Sequence, residues 1–181
     1  MRSYTVHLTS YIIKIFLLKT VLLIRHAKSD WNDPALKDFD RPLNERGKRD
    51  APLMAHRLID KKVKIDCFIA SPAKRARKTA ELFVKEYDKK KEDILLVDNL
   101  YLAEPSFFLE VINKAGDENK CLAIFSHNPG ITDFANSLAD VRIDDIPTCG
   151  VFAIRADIKH WKDFALSGNE FWFFDFPKST D

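Results

Sequence analysis

Three short polar stretches of this 181-residue chain carry residues that could do chemistry together. Arg25-His26 ends the apolar run Val21-Leu-Leu-Ile24. Ser71-Pro-Ala-Lys-Arg75 follows Ile65-Asp-Cys-Phe-Ile-Ala70, and Ser126-His127 follows Cys121-Leu-Ala-Ile-Phe125. An imidazole can attack phosphorus, and a guanidinium can hold the equatorial oxygens of a phosphoryl group through two parallel hydrogen bonds. Two arginines and two histidines around one point would make a pocket for a dianion. Each stretch also has an ordinary explanation. Arg-His is a common dipeptide, Arg75 can be a surface residue of an amphipathic helix, and His127 before Asn-Pro-Gly can cap a turn. At the ends of three apolar runs those explanations must all hold at once, and phosphoryl transfer is the simpler reading.

The groups converge only if the runs before them are neighbouring strands of one direction. Unbroken apolar runs read as strands buried on both faces, as in a parallel sheet, and open α/β sheets bind ligands at the carboxyl ends of such strands. The polar stretch Asp33 to Arg41, with Pro34 and Pro42, reads as a loop over the first strand end. Asn44 is a predicted N-cap for a helix with an apolar stripe at Leu53, Met54 and Leu58, which Pro52 should kink or confine to its later part. Ser71 as N-cap with Pro72 at the first helical position opens a helix to about Tyr87. Arg75 then lies in its first turn, near the positive end of the macrodipole. Ile94 to Val97 reads as a strand, Ser106 to Lys114 and Ile131 to Leu138 as helices, and Thr148 to Arg155 and Glu170 to Phe176 as the last strands. The aromatic final strand is expected at an edge and antiparallel. The alternation predicts an α/β fold, a three-layer α/β/α sandwich with a mostly parallel central sheet.

At 46% hydrophobic the chain can bury one substantial core, and a net charge of +2 implies no bulk attraction to nucleic acid or to membranes. Cys67, Cys121 and Cys149 are isolated among apolar neighbours, the pattern of reduced thiols in a cytoplasmic protein. There is no His-x-His pair and no Gly-rich phosphate loop, so no metal and no cofactor are expected. Tyr11 to Leu18 is apolar but interrupted by Lys14 and too short to span a bilayer. Residues 1–19 are read as an N-terminal extension, either an extra strand or helix packed on the domain or the product of a mis-assigned start, and residues 20–181 as the single domain.

The order Arg25-His26, then Ser71-Pro-x-x-Arg75-Ala-x-x-Thr79-Ala, then Ser126-His127 resembles the histidine phosphatase superfamily, the phosphoglycerate-mutase-like group. The likeness runs from Thr20 to about Pro177. Arg25-His-Ala-Lys-Ser29, Arg41-Pro-Leu-x-x-Arg-Gly47, Leu100-Tyr101, His127-Asn-Pro-Gly130, Pro147-Thr-Cys-Gly150 and Phe176-Pro-Lys178 resemble its SixA-type branch of phosphohistidine phosphatases. The resemblance implies a metal-independent phosphatase. His26 would be the nucleophile and become a transient phosphohistidine, Arg25 and Arg75 would clamp the phosphoryl oxygens, and His127 would hydrogen-bond the same group. Ser29 and Asn32 match the polar residues that follow Arg-His in the superfamily and are candidate phosphate contacts. The implied partner is a phosphorylated substrate, foremost a phosphohistidine protein. A sugar or nucleotide phosphomonoesterase and a non-catalytic phosphate-binding module are the alternatives.

Two departures bear on the substrate. Ala27 stands where the superfamily has glycine after Arg-His. Many members also place a carboxylate acid soon after the third strand, where this chain has Leu100-Tyr-Leu-Ala-Glu104. Glu104 is the candidate for that role if the loop bends suitably; otherwise it is a loop carboxylate or an N-terminal helix partner beside Pro105, and the acid is absent. An alkoxide leaving group needs a proton in the transition state, whereas the imidazole that leaves a phosphohistidine can already carry its proton. A missing acid therefore favours a phosphoramidate substrate.

Overall fold

A computed structural model describes residues 18–179. Residues 1–17, most of the expected extension, lie outside the described residues. Leu18 and Lys19 begin the first strand, where they pair with Asp157 and Ala156. Buried Lys19 donates from Nζ to the carbonyls of Asp117 and Asn119 at 2.8 and 3.0 Å, over the face of Trp161.

Among the described residues six strands form one sheet: β1 (Leu18–Arg25), β2 (Cys67–Ala70), β3 (Ile94–Leu96), β4 (Cys121–Ser126), β5 (Val151–Asp157) and β6 (Glu170–Asp175), in the order β3-β2-β4-β1-β5-β6. β1 to β4 are mutually parallel, and β5 runs antiparallel to both β1 and β6. β5 is thus the one reversed strand, and aromatic β6 forms an edge antiparallel to its neighbour. Along β1 the side chains alternate between two cores. Leu22 and Ile24 meet helices α1 (Glu45–Asp60) and α2 (Lys74–Glu86) through Met54, Leu58, Ala80 and Phe83. Val21 and Leu23 meet α3 (Pro105–Asn113) and α4 (Gly130–Leu138) through Phe108, Ile112, Ile131 and Phe134. Val21 to Ile24 are each 0% exposed, which explains an apolar run without alternation. Each such side chain contributes about 1.5–3 kcal/mol by burial. Helices on both faces of a mostly parallel sheet make the expected α/β/α sandwich.

The register sets the three polar stretches level. Arg25 pairs with Ser126 and Ala70 with Phe125, and the ladder continues past the strands as His26 N–H to Ser126 O (3.0 Å) and Ser71 N–H to Phe125 O (2.9 Å).

Two local expectations change. α1 runs through Pro52 without a break, starting from Asn44, whose Oδ1 accepts from Gly47 N–H at 2.9 Å. Its buried stripe of Ala51, Met54, Ala55 and Leu58 holds the helix against the sheet despite the missing N–H. α2 begins at Lys74 with Ala73 as N-cap, so Ser71 does not cap it. The Ser71 hydroxyl faces His127 instead. Among the described residues, no helix is long and apolar enough to cross a membrane.

Candidate active site

His26 follows β1 directly and is 8% exposed. Its Nδ1 lies 2.8 Å from the carbonyl of Ala27, which can only accept, so Nδ1 carries the proton. The lone pair is then on Nε2, where Arg75 Nε–H points from 3.2 Å. Burial, reinforced by the charges of Arg75 and Arg25, pushes the ring pKa down to about 3 against the opposing Ala27 bond. The imidazole is neutral at physiological pH with its nucleophilic nitrogen oriented.

Several contacts fix that orientation. The Cys149 N–H reaches the carbonyls of both Arg25 and His26 at 3.1 Å, from a left-handed backbone (φ 63°). A non-glycine residue holds that conformation at a cost of about 1–2 kcal/mol, which the surrounding turn must offset. Ala27 N–H donates to Thr79 Oγ1 (2.9 Å), and Thr79 in turn donates to Arg75 O (2.7 Å), tying the His26 loop to α2. Gly47 lets α1 approach the loop, since a Cβ there would collide with the Lys28 carbonyl.

His127, 2% exposed, sits with its ring centroid 5.0 Å from that of His26. Its Nε2 is 2.9 Å from Ser71 Oγ, which also accepts from Ala73 N–H at 3.3 Å. A hydroxyl accepting from a backbone amide can give its own proton to Nε2, and in that tautomer the ring proton of His127 is on Nδ1. Burial and the charges of its neighbours push His127 down to about 2. Both His127 Nδ1 and Arg25 Nε are buried without a hydrogen-bond partner, which leaves both nitrogens open to a phosphoryl oxygen.

Arg25 and Arg75 each meet a loop carboxylate. Arg25 Nη1 donates to Asp145 Oδ2 (2.8 Å) and to Ile146 O (2.7 Å). Arg75, 5% exposed, gives Nη1 to Asp38 O (2.5 Å) and Nη2 to Asp38 Oδ2 (2.9 Å). Arg41 is a third guanidinium of the cluster and, like Arg75, buried; it donates to Asp38 Oδ1 (3.1 Å), Ser29 Oγ (2.8 Å) and Asp30 O (3.0 Å) while lying on the Trp31 ring. The Tyr101 hydroxyl donates to Asp38 Oδ2 at 2.9 Å. Partial burial opposes the Asp38 charge, but the bonds from Tyr101 and Arg75 and the charges of Arg75 and Arg41 outweigh it and hold its pKa below the ordinary value.

The structure therefore gathers Arg25, His26, Arg75 and His127. It does not bring Glu104 or Asn32 to them. Glu104 is the exposed N-cap residue of α3 and forms no cap bond. Asn32 is exposed and only its backbone N–H is engaged, by Asp30. Ser29 is buried as a support for Arg41, bridged to Leu43. Sequence reasoning passes over Asp38, Tyr101, Arg41, Ser71 and Thr79 as site residues. Asp38 stands in a polar loop, and only its place beside Arg41, just before a helix, hints that it turns inward. Among the described residues no cluster of three metal-binding side chains occurs. The larger cavities lie elsewhere: one of about 540 Å³, lined by Ile59, Val63 and Tyr87, opens at the opposite end of the strands.

The profile of the histidine phosphatase superfamily (branch 1) matches residues 21–99. The uncharacterised Mycobacterium tuberculosis protein Rv1276c is 32% identical over 150 residues, covering 77% of this chain and 90% of that protein. The structure of the protein histidine phosphatase SixA complexed with tungstate superposes with a TM-score of 0.72 at 20% identity, over 87% of this chain and 97% of that one. A mycobacterial glucosyl-3-phosphoglycerate phosphatase superposes at 0.58 and 13% identity, over 88% and 98%. The chain belongs to the histidine phosphatase superfamily. The shared fold spans more than one substrate class, so the substrate must be argued from the site.

Proposed function

We propose that the protein is a metal-independent phosphatase that hydrolyses phosphohistidine on proteins through a covalent intermediate on His26. The observation that carries this reading is the neutral His26 ring with Nδ1–H fixed on Ala27 O and its Nε2 lone pair beside Arg75. His26 Nε2 attacks phosphorus, the N–P bond to the substrate breaks, and the departing ring nitrogen takes the electron pair. Arg75, Arg25 Nε and His127 Nδ1–H supply donors to the phosphoryl oxygens, and Ser71 holds His127 in the donating tautomer. Water then attacks the phosphoenzyme, Nε2 recovers its pair, and inorganic phosphate leaves. Positive charge comes from guanidiniums, so no metal is required.

Two features favour phosphohistidine over an alkyl ester. The carboxylate of Asp38, bound to Arg75 beside His26, is held ionised, and the Tyr101 hydroxyl beside it is raised above its ordinary pKa by burial and by Asp38. Neither is a ready proton donor at neutral pH, and a nitrogen leaving group needs one least. Around the site, Trp31 (71% exposed), Leu36, Phe39 and Leu102 (62%) present apolar surface suited to a protein face and not to a sugar.

The test is phosphate release from a phosphohistidine-bearing protein beside a panel of alkyl, sugar and nucleotide phosphates, with His26→Ala as the blank and EDTA in a parallel series. A preference for phosphohistidine that the variant loses and the chelator leaves intact is expected. Preference for one small ester, or loss with EDTA, overturns the substrate or the metal-free claim respectively.

A further inference from the structure

Every nitrogen of Arg75 is engaged: Nε on His26, Nη1 on the Asp38 carbonyl and Nη2 on the Asp38 carboxylate. The two Nη groups form the fork with which a guanidinium grips a phosphoryl group. Asp38 also takes Nη1 of Arg41 and the hydroxyl of Tyr101. One residue therefore occupies donors from three side chains around the nucleophile.

Asp38 belongs to an exposed loop whose two ends are tied together. Residues 31–40 are exposed throughout. The base of the loop is pinned by the Ser29–Leu43 bridge, by Asp30 N–H to Pro42 O (2.8 Å) and by Asn44 N–H to Lys28 O (3.0 Å). Above that base, Asp38 and the edge-on contact of Phe39 with Tyr101 (ring centroids 5.1 Å apart) hold the loop to the site. Charge balance points the same way. Three guanidiniums already face the carboxylates of Asp38 and Asp145, so a phosphoryl dianion overfills the site with negative charge unless a carboxylate withdraws.

We propose that Asp38 is a resident anion of the phosphate site and that loop 31–40 is an autoinhibitory latch, which the incoming phosphoryl group displaces from Arg75 and Arg41. This rests on the reading of the cluster as a phosphate site and adds a selection step to it. A ligand offering only a phosphoryl group must compete with Asp38 unaided. A protein that also contacts Trp31, Leu36 and Phe39 on the loop can draw it aside with binding energy from those contacts, so the latch disfavours small esters. The apparent affinity of a site competent only part of the time falls by that fraction, and removing the competitor restores it.

The test is calorimetric binding of inorganic phosphate to the full chain and to Asp38→Asn, Asp38→Ala, Phe39→Ala and Arg75→Gln. The two Asp38 variants are expected to bind phosphate about fivefold tighter, and Phe39→Ala, which keeps the carboxylate but loosens the loop, about twofold tighter. Weaker or unchanged binding in the Asp38 variants overturns the latch and makes Asp38 a residue that orients Arg75 for the ligand. Arg75→Gln separates the two claims. If wild type binds phosphate and Arg75→Gln does not, the phosphate-site reading stands whatever Asp38 does. If neither wild type nor any variant binds phosphate, both claims fall together.

Discussion

His26, Arg75 and His127 are 8%, 5% and 2% exposed; the two histidines follow strand ends locked by the sheet register and Arg75 stands in the first turn of α2, whereas residues 31–40 are exposed throughout and meet the site through a few side chains. The floor is over-determined. The His26 loop is held by the β4 ladder through Ser126, by Cys149 and by Thr79, and losing one hold leaves the others. The loop above depends on Asp38 and Phe39. Rigid groups below and a displaceable anion above suit a reaction whose catalysis is positioning and whose control is access.

The largest effects should come from the floor. Replacing His26 by Ala is expected to reduce turnover by about 10⁴-fold or more, because it removes the atom that bonds phosphorus. Phosphate should still bind within a few-fold of wild type, since Arg25, Arg75 and His127 remain. Steady-state phosphate release and calorimetry measure the two separately, and an active His26→Ala would show that the nucleophile lies elsewhere. Arg75→Lys should lower kcat by about 10²–10³-fold, because an ammonium cannot present a planar fork. A drop below tenfold would mean that Arg75 serves the loop more than the reaction.

The same contrast decides what could be read from the sequence. The floor was legible because its residues sit where strong patterns stop: Val21–Ile24 and Cys121–Phe125 announce buried parallel strands, and whatever follows them must share one edge of the sheet. Ser71 was visible but misplaced, since Ser-Pro before a helix has the signature of a cap, and only the tertiary contact turns its hydroxyl to His127. Pro52 misled for a related reason, as local backbone chemistry predicts a break that burial of the α1 stripe overrides. The loop was illegible in detail. No periodicity tells which of Asp30, Asp33, Asp38 and Asp40 turns inward, because that depends on Arg75 and Tyr101, far away in the chain. Glu104 attracted attention by its place after the third strand, yet that stretch delivers the Tyr101 hydroxyl to the cluster.

A thermodynamic prediction tests the buried histidines directly. Both rings titrate below their ordinary value of 6.5 in the folded protein, at about 3 for His26 and about 2 for His127. Between about 6.5 and 3 the unfolded chain therefore binds more protons than the folded one, so stability rises with pH across that window and is lost as pH falls. Each ring can contribute up to about 1.4 kcal/mol per pH unit. Urea midpoints should fall between pH 7 and pH 5, and the fall should flatten in the double variant His26→Asn/His127→Asn. An unchanged slope in that variant would place the acid sensitivity outside the site.

Thr79→Val probes one of the holds on the floor. It removes the hydroxyl that links Ala27 N–H to Arg75 O, leaving a buried amide unpaired at a cost of about 1–3 kcal/mol. Because the β4 ladder and Cys149 still hold His26, kcat should fall only about tenfold, with thermal stability reduced in parallel. A loss as large as that of Arg75→Lys would mean that the floor is far less redundant than its bonds suggest.

The smallest effect is expected at Glu104. Its side chain is exposed, makes no cap bond to α3 and shares no hydrogen bond or ion pair with the four site residues. Glu104→Gln should change kcat/KM by less than about twofold for phosphohistidine and alkyl phosphates alike, an effect typical of a surface change remote from the chemistry. The informative quantity is the ratio of the two substrates. A general acid must matter more to an alkoxide than to an imidazole leaving group. A selective loss on the alkyl ester would therefore show that the stretch after β3 bends Glu104 into the site during turnover. Equal, near-unit ratios leave Asp38 as the carboxylate that meets Arg75, one whose ionised state fits a competitor for phosphate and not a donor of protons.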